Sequence, residues 1–385
     1  YFDNTSTILQ PVSQPPNFRM MHDWQWMPEQ RGKAKLTSGV GSNLFRKSLS
    51  STPPSLLLSE SPFVVPPFEP AAGLRNGHMQ TLYGAVRPAR PMITGTVEQK
   101  LRFPDGDFAV LHDDRPQKWS RGDHVVLLMH GMAGCHQSGY MARTAAKLLH
   151  RNVRVFRMDH RGCGAGEHLA QNPYHAGRIR DLEAAIRMLE RLCPSSPVSV
   201  AGFSLSGNLL LRYLGDDPAA LPLSLFRAVA ICPPVDLKQC VEQLGTTRMG
   251  QRYDWYFARQ LVNQLADKPQ WRDDVPLATA KRLPRRIFEF DELYTAPASG
   301  FESAEHYYAE ASAKSFVGNI PIPTTILAAE DDPMVCSAPL RQLKLPSNVT
   351  LCLTQHGGHL GFTGRKGVDA DQRWMDWRVV DWLLN

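Results

Sequence analysis

Short apolar runs separated by helical stretches constrain this chain more than any other feature. His124–Met129, Val153–Arg157, Val198–Phe203, Phe226–Cys232, Thr324–Ala329 and Val349–Leu353 are each bounded by turn residues and are apolar at most positions. Strands of that composition are buried on both faces. The stretch Gly177–Leu192 between two of them puts Ile179, Leu182, Ala185, Ile186 and Leu189 on one helical face and its charges on the other. Strands alternating with helices predict an α/β fold built on a mostly parallel, doubly wound sheet. Ahead of the first such run, Thr96–Phe103 and Phe108–His112 flank Pro104-Asp105-Gly106-Asp107, the composition of an N-terminal antiparallel hairpin.

One interval is too long for a single crossover. About 90 residues separate Cys232 from Thr324, and they include Trp255, Tyr256, Phe257, Phe288, Phe290, Tyr294, Tyr307 and Tyr308. This is expected to be a helical lid inserted after strand 6, at about 236–320, whose aromatics form its own small core or line an acyl pocket. Residues 1–55 are rich in Pro, Ser, Gln and Asn without a sustained period, so they read as a flexible N-terminal tail ahead of one folded domain at 56–385.

Composition excludes several classes. The net charge is +6, but Lys and Arg are interspersed with acids and form no basic stripe, so nucleic acid is not an expected partner. The seven cysteines include no C-x-x-C pair and read as reduced core thiols rather than a zinc site. No run approaches the ~18 apolar residues of a membrane span, and the N-terminal segment has no hydrophobic signal region. A cytoplasmic enzyme without an integral membrane anchor is expected.

The strand Val198–Phe203 ends at Gly202-Phe203-Ser204-Leu205-Ser206, and a Leu-rich helix starts at once. A strand-to-helix turn tight enough to lift a serine hydroxyl clear of the sheet needs small residues two before and two after that serine. Gly202 and Ser206 supply them, although the usual G-x-S-x-G pattern has glycine at the second place. Ser204 is therefore the candidate nucleophile, with Ser206 adding a hydroxymethyl where strand and helix come closest.

A serine hydroxyl needs a general base and a group that orients it. Gln355-His356-Gly357-Gly358-His359 follows the last strand, and His359 is the expected base, ahead of His356. The orienting acid is expected after the preceding strand, where Glu330, Asp331 and Asp332 compete. Asp332 precedes Pro333, which favours an extended backbone, and is preferred over Asp331. The tetrahedral oxygen formed on attack needs backbone donors, and the loop His130-Gly131-Met132 after the first parallel strand is placed to give them. Met132 and Leu205 are the expected oxyanion hole, with His130 bonded to its own loop. Asp159-His160-Arg161-Gly162-Cys163-Gly164 reads as a turn held by an Asp–Arg contact rather than a phosphate or metal loop.

These elements together resemble a known family. Arg75-Asn76-Gly77-His78-Met79-Gln80-Thr81, the His130-Gly131 loop, Asp159-His160-Arg161-Gly162, the turn at Ser204, Phe288-Glu289-Phe290-Asp291 and Gly358-His359 are similar to the YheT-like branch of the α/β-hydrolase superfamily. The resemblance covers roughly residues 60 to 385. It implies the α/β-hydrolase fold and a serine carboxylesterase acting on short- to medium-chain acyl esters, with Ser204, Asp332 and His359 as triad. No metal or cofactor is required by that chemistry, and the partner is a small-molecule acyl ester. Two other readings share the chain: an acyltransferase on the same triad, and a catalytically silent small-molecule binder whose turn is constricted by Ser206.

Overall fold

The computed structural model describes residues 65–86, 91–266, 268 and 272–385. The tail expected at 1–55 lies outside them. The described residues form one compact unit.

The chain opens with helix α1 (Gly77–Val86), then strands β1 (Val97–Arg102) and β2 (Phe108–Asp114). Next come β3 (Val125–Met129), α2 (Gly139–His150), β4 (Arg154–Asp159), α3 (Ile179–Leu192), β5 (Val198–Phe203), α4 (Leu205–Asp216) and β6 (Leu225–Ile231). After an insertion, β7 (Thr324–Ala329), β8 (Val349–Thr354) and the closing helix Trp374–Leu384 complete the domain. The eight strands form one sheet in the order β1-β2-β4-β3-β5-β6-β7-β8. β1 and β2 pair antiparallel, β2 joins β4 antiparallel, and every other pairing is parallel. The hairpin is thus an antiparallel edge on a parallel sheet.

The side-chain period of two decides where the core sits. In β3, Val125, Leu127 and Met129 join one buried cluster while Val126 and Leu128 join another. The first cluster packs the sheet against α3 and α4 through Leu182, Ile186, Leu189 and Leu209–Leu211. The second packs its opposite face against α2 and the closing helix through Met141, Leu148, Met375 and Val379. Covering both faces explains why these strands are continuously apolar.

Register sets up the functional edge. Met129 lies beside Gly202, Phe203 beside Ile231, Ile231 beside Leu327, and Ala329 beside Thr354. The loops that begin at residues 130, 204, 232, 330 and 355 therefore all leave the sheet at its carboxyl edge, the usual ligand edge of an open α/β sheet.

The insertion between β6 and β7 is helical. It contains α5 (Leu237–Leu244), α6 (Arg248–Leu265), a helix Ile287–Phe290 that runs through a π-helical turn Asp291–Thr295 into Ala296–Ala298, and a further helix Ala304–Ala311. Its aromatics divide. Phe257, Phe290, Tyr294, Tyr307 and Tyr308 line a cavity, and Phe290 and Tyr294 also belong to a small buried cluster of the insertion itself. Trp255, Tyr256 and Phe288 are exposed.

Candidate active site

Ser204 stands between β5 and α4 with φ 54° and ψ −119°. Positive φ is uncommon for a residue with a Cβ, and it persists here because the turn is held from both sides. Its N–H donates to the Ile231 carbonyl at 2.7 Å, and its carbonyl accepts from Gly207 at 2.8 Å. Gly202 is required by contact, since a Cβ there would lie 2.4 Å from the Ser206 carbonyl oxygen.

The His359 ring reaches Ser204 from the loop after β8. Its Nε2 is 2.9 Å from Ser204 Oγ, and its Nδ1 is 2.8 Å from Asp332 Oδ2. Asp332 is fixed in turn, because its Oδ1 accepts the N–H groups of Met334 and Val335 at 2.8 and 2.9 Å. Both Asp332 and His359 are buried. The competing residues lie elsewhere: Asp331 accepts from the Gly358 N–H at 2.9 Å and sits 3.4 Å from His356 Nδ1, while Glu330 pairs with Arg341. Asp331 thus braces the histidine loop from behind.

Met132 and Leu205 border the same cavity as Ser204. Between them the 130–132 loop passes so near the serine that a Cβ on Gly131 would meet Ser204 Cβ at 2.9 Å. His130 bonds its own loop, as expected: Nδ1 donates to the Gly131 carbonyl at 2.7 Å and Nε2 accepts from the His160 N–H at 3.3 Å. Burial pushes the His130 and His160 imidazoles down, and both remain neutral.

Ser206 does not act as a constriction. It is completely buried, its hydroxyl donates to the His130 carbonyl, and it receives His160 Nε2 at 2.8 Å and the Tyr174 hydroxyl at 3.0 Å. The Tyr174 and His160 rings stack with centroids 4.1 Å apart. The hydroxymethyl thus fills a polar niche beneath the nucleophile turn and ties that turn to the 130–132 loop. Sequence spacing shows the departure from glycine but not the partners waiting for it.

The Asp159–Arg161 contact expected in the next loop does not form. Asp159 Oδ2 accepts from His112 Nε2 at 2.9 Å and His136 Nδ1 at 2.7 Å, and Arg161 reaches away to Asp181, Asp107 and Asp105. Two positions apart in a turn leaving a strand, the side chains diverge. Burial would raise the Asp159 carboxyl, but the two imidazole hydrogen bonds hold it well below the usual range. His112, His136 and Asp159 suggest a metal triad by residue type. Their geometry does not suit one, because the two rings are stacked 3.4 Å apart at 19°. Nearly parallel imidazoles cannot both hold one ion in the ring plane, where the nitrogen lone pairs lie.

The motif Arg75–Thr81 carries part of the family resemblance, but the sequence assigns it no task in the site. In the structure it supports the base. Thr81 Oγ1 accepts the His359 N–H at 2.8 Å and donates to the Gly77 carbonyl at 2.8 Å. Gln80 accepts from Thr363 N–H at 2.8 Å and donates to the Leu74 carbonyl at 2.7 Å.

The cavity beyond Ser204 has a volume of about 1120 Å³ including its mouth, and most of its wall is apolar. Cys163 and Cys232 are buried, and burial pushes both thiols up, which leaves them protonated. Among the described residues no helix is long and apolar enough to cross a membrane.

The chain is similar in sequence to known proteins. A family described as serine aminopeptidase, S33 (Hydrolase_4), matches residues 120–363. An Escherichia coli (strain K12) protein named "Putative esterase YheT" is 31% identical over 321 residues, covering 82% of this chain and 92% of its own. Two proteins of Saccharomyces cerevisiae (strain ATCC 204508 / S288c) are more distant. A monoacylglycerol lipase is 24% identical over 300 residues, covering 75% of this chain and 64% of its own. A medium-chain fatty acid ethyl ester synthase/esterase 2 is 29% identical over 272 residues, covering 62% and 58%. Among solved structures, 2,6-dihydroxy-pseudo-oxynicotine hydrolase superposes with a TM-score of 0.51 at 15% identity, over 80% of this chain and 72% of that one. That likeness bears on the fold alone.

Proposed function

This chain belongs to the YheT-like branch of the α/β-hydrolases, enzymes of ester hydrolysis, and from that premise we propose that it is a serine carboxylesterase for short- to medium-chain acyl esters. The observation that carries the reading is the continuous line from Asp332 through His359 to Ser204, at 2.8 and 2.9 Å, opening on an apolar cavity. Ser204 Oγ attacks the ester carbonyl while His359 Nε2 takes its proton, and Asp332 holds the Nδ1–H and stabilises the imidazolium. The N–H groups of Met132 and Leu205 receive the negative oxygen; a donor of this kind is worth about 2.7 to 4 kcal/mol. Collapse breaks the bond to the alcohol, which leaves with the proton from His359. Water, deprotonated by the same imidazole, then attacks the acyl-enzyme and releases the acid. The insertion at about 236–320 serves as the lid over this cavity.

A cavity walled mainly by Leu, Val and aromatic side chains supports an acyl chain of moderate length. The test is a fluorophosphonate label read by peptide mapping, together with turnover of p-nitrophenyl esters of increasing chain length. Ser204 takes the label, and Ser204→Ala loses both label and turnover. A folded wild-type protein that neither labels nor hydrolyses any ester overturns the proposal.

A second reading is transfer of the same acyl group to an alcohol, favoured by the similarity to a synthase/esterase. Ethanol added to the assay separates the two by product: ethyl ester exceeding free acid supports transfer.

A further inference from the structure

The cavity wall is interrupted by one buried carboxyl that the proposed chemistry does not use. Asp291 borders the cavity among Leu244, Leu261, Ile287 and Phe290, and only 7% of it is exposed. It begins the π-helical turn Asp291–Thr295. Such turns interrupt an α-helix at a cost and recur at functional positions. The Tyr308 hydroxyl donates to Asp291 Oδ2 at 2.7 Å, and the Thr295 hydroxyl also bonds the carboxyl. The charged group acting on it is another carboxylate, Asp254. A buried acid is ordinarily matched by a cation.

A carboxylate offers about four acceptor positions, and two hydroxyl donors leave acceptor capacity on a residue that borders the cavity. A ligand group placed there has to satisfy two forms of the acid, since burial raises its pKa to about 6 and both forms are populated at moderately acid pH. The ionised form needs a donor and the protonated form needs an acceptor. A hydroxyl provides both. An ammonium provides only the first, and it would be stripped of water among Leu, Ile and Phe side chains.

We infer that Asp291 forms a subsite for a hydroxyl on the acyl chain, so that the ester this enzyme takes carries a hydroxyl distal to its carbonyl. The inference rests on the reading of Ser204 as nucleophile and adds the chemistry of the chain that the cavity holds. A site built around a hydrogen bond to a substrate hydroxyl discriminates strongly against the analogue that lacks it, because the buried group is left without its partner.

The experiment compares p-nitrophenyl octanoate with its monohydroxylated isomers, the hydroxyl moved one carbon at a time. One isomer exceeds the parent in kcat/KM by roughly tenfold or more in the wild type, the range of a hydrogen bond to a charged group. Asp291→Leu removes that ratio, and Asp291→Asn keeps part of it. Because two substrates are compared on one protein, a loss of folded material cancels. If Asp291→Leu does not fold, Asp291→Asn combined with Thr295→Val carries the comparison. The inference is overturned if every isomer is slower than the parent in the wild type, or if the ratio survives both variants. Calorimetry on Ser204→Ala with methyl octanoate and the hydroxylated methyl ester separates the two readings. Tighter binding of the hydroxylated ester supports the subsite even where no turnover is found, and equal binding overturns it.

Discussion

Ser206→Ala tests whether the nucleophile turn is held in register with the proposed oxyanion loop by a single hydroxyl. The substitution removes the donor to the His130 carbonyl and the acceptor for His160 Nε2 and the Tyr174 hydroxyl, all in a place without solvent exposure. Each buried polar group left unpaired costs about 1–3 kcal/mol, and three neighbours that relax together cost less than their sum. The expected loss of stability is about 2–4 kcal/mol. The methyl of alanine keeps its own space, so water has no room to restore the bonds. Activity suffers separately. The His130 carbonyl lies two residues ahead of the Met132 N–H, and freeing it releases part of a donor worth about 2.7–4 kcal/mol. kcat is expected to fall roughly ten- to a hundredfold with KM little changed, because the loss appears only when charge develops on the oxygen.

Ser206→Gly sharpens the test. It vacates about the volume of one water, with three polar groups around it, so a bound water takes over the bonds. The expected order in kcat and in melting temperature is wild type, then Gly, then Ala. Thermal melts, steady-state kinetics on a p-nitrophenyl ester and the affinity for a boronic acid that mimics the tetrahedral intermediate measure it. A glycine variant faster than wild type would mean that the hydroxymethyl constricts the turn, and an alanine variant equal to wild type in all three would refute the bridging argument.

Gly131→Ala puts a Cβ 2.9 Å from Ser204 Cβ and 3.2 Å from the Phe203 carbonyl oxygen, so the loop must move; kcat is expected to drop at least tenfold, about 1.4 kcal/mol, in the same kinetic assay. Thr81→Val keeps the shape but deletes the acceptor of the His359 N–H; about 1–3 kcal/mol of stability is lost, read by denaturant unfolding, and kcat falls with it as the imidazole loses its fixed position. Asp291→Asn changes the pH dependence of stability. With its folded pKa raised from 3.8 to about 6, wild-type Asp291 contributes stability that is fully present below the lower value and lost as pH rises through the upper one, a total change of roughly 3 kcal/mol. Melting curves are therefore expected to show the variant gaining on wild type between pH 4 and pH 6, and a constant difference over that window would refute it.

The sheet was legible because a parallel strand buried on both faces writes its whole length in apolar residues, and each expected strand from Val125 to Thr354 falls within two residues of its place. The line from Ser204 to Asp332 was legible for a related reason: every member sits on a loop directly after a strand, so position in the chain translates into position at one edge. Asp332 against Asp331 turns on a local rule, since the residue before Pro333 is kept extended, and in the structure Asp332 faces the imidazole while Asp331 caps the Gly358 N–H. What escaped were contacts that join distant segments. Thr81 and His359 lie 278 residues apart, and Ser206 meets groups 32, 46 and 76 residues away. Arg161 leaves its own loop for Asp181 and Asp107 because a guanidinium with five donors is satisfied better by several carboxylates than by one neighbour. Periodicity sees neither end of such bonds. The stretch Gly73–Tyr83 shows no simple apolar period, yet Gly77–Val86 is helical, and the face that α1 buries is polar: Gln80 and Thr81 turn it to the histidine loop. A helix whose buried face is read by hydrogen bonds rather than by apolar packing leaves no hydrophobic periodicity, and such a stretch is a candidate for holding a loop that belongs to another part of the chain.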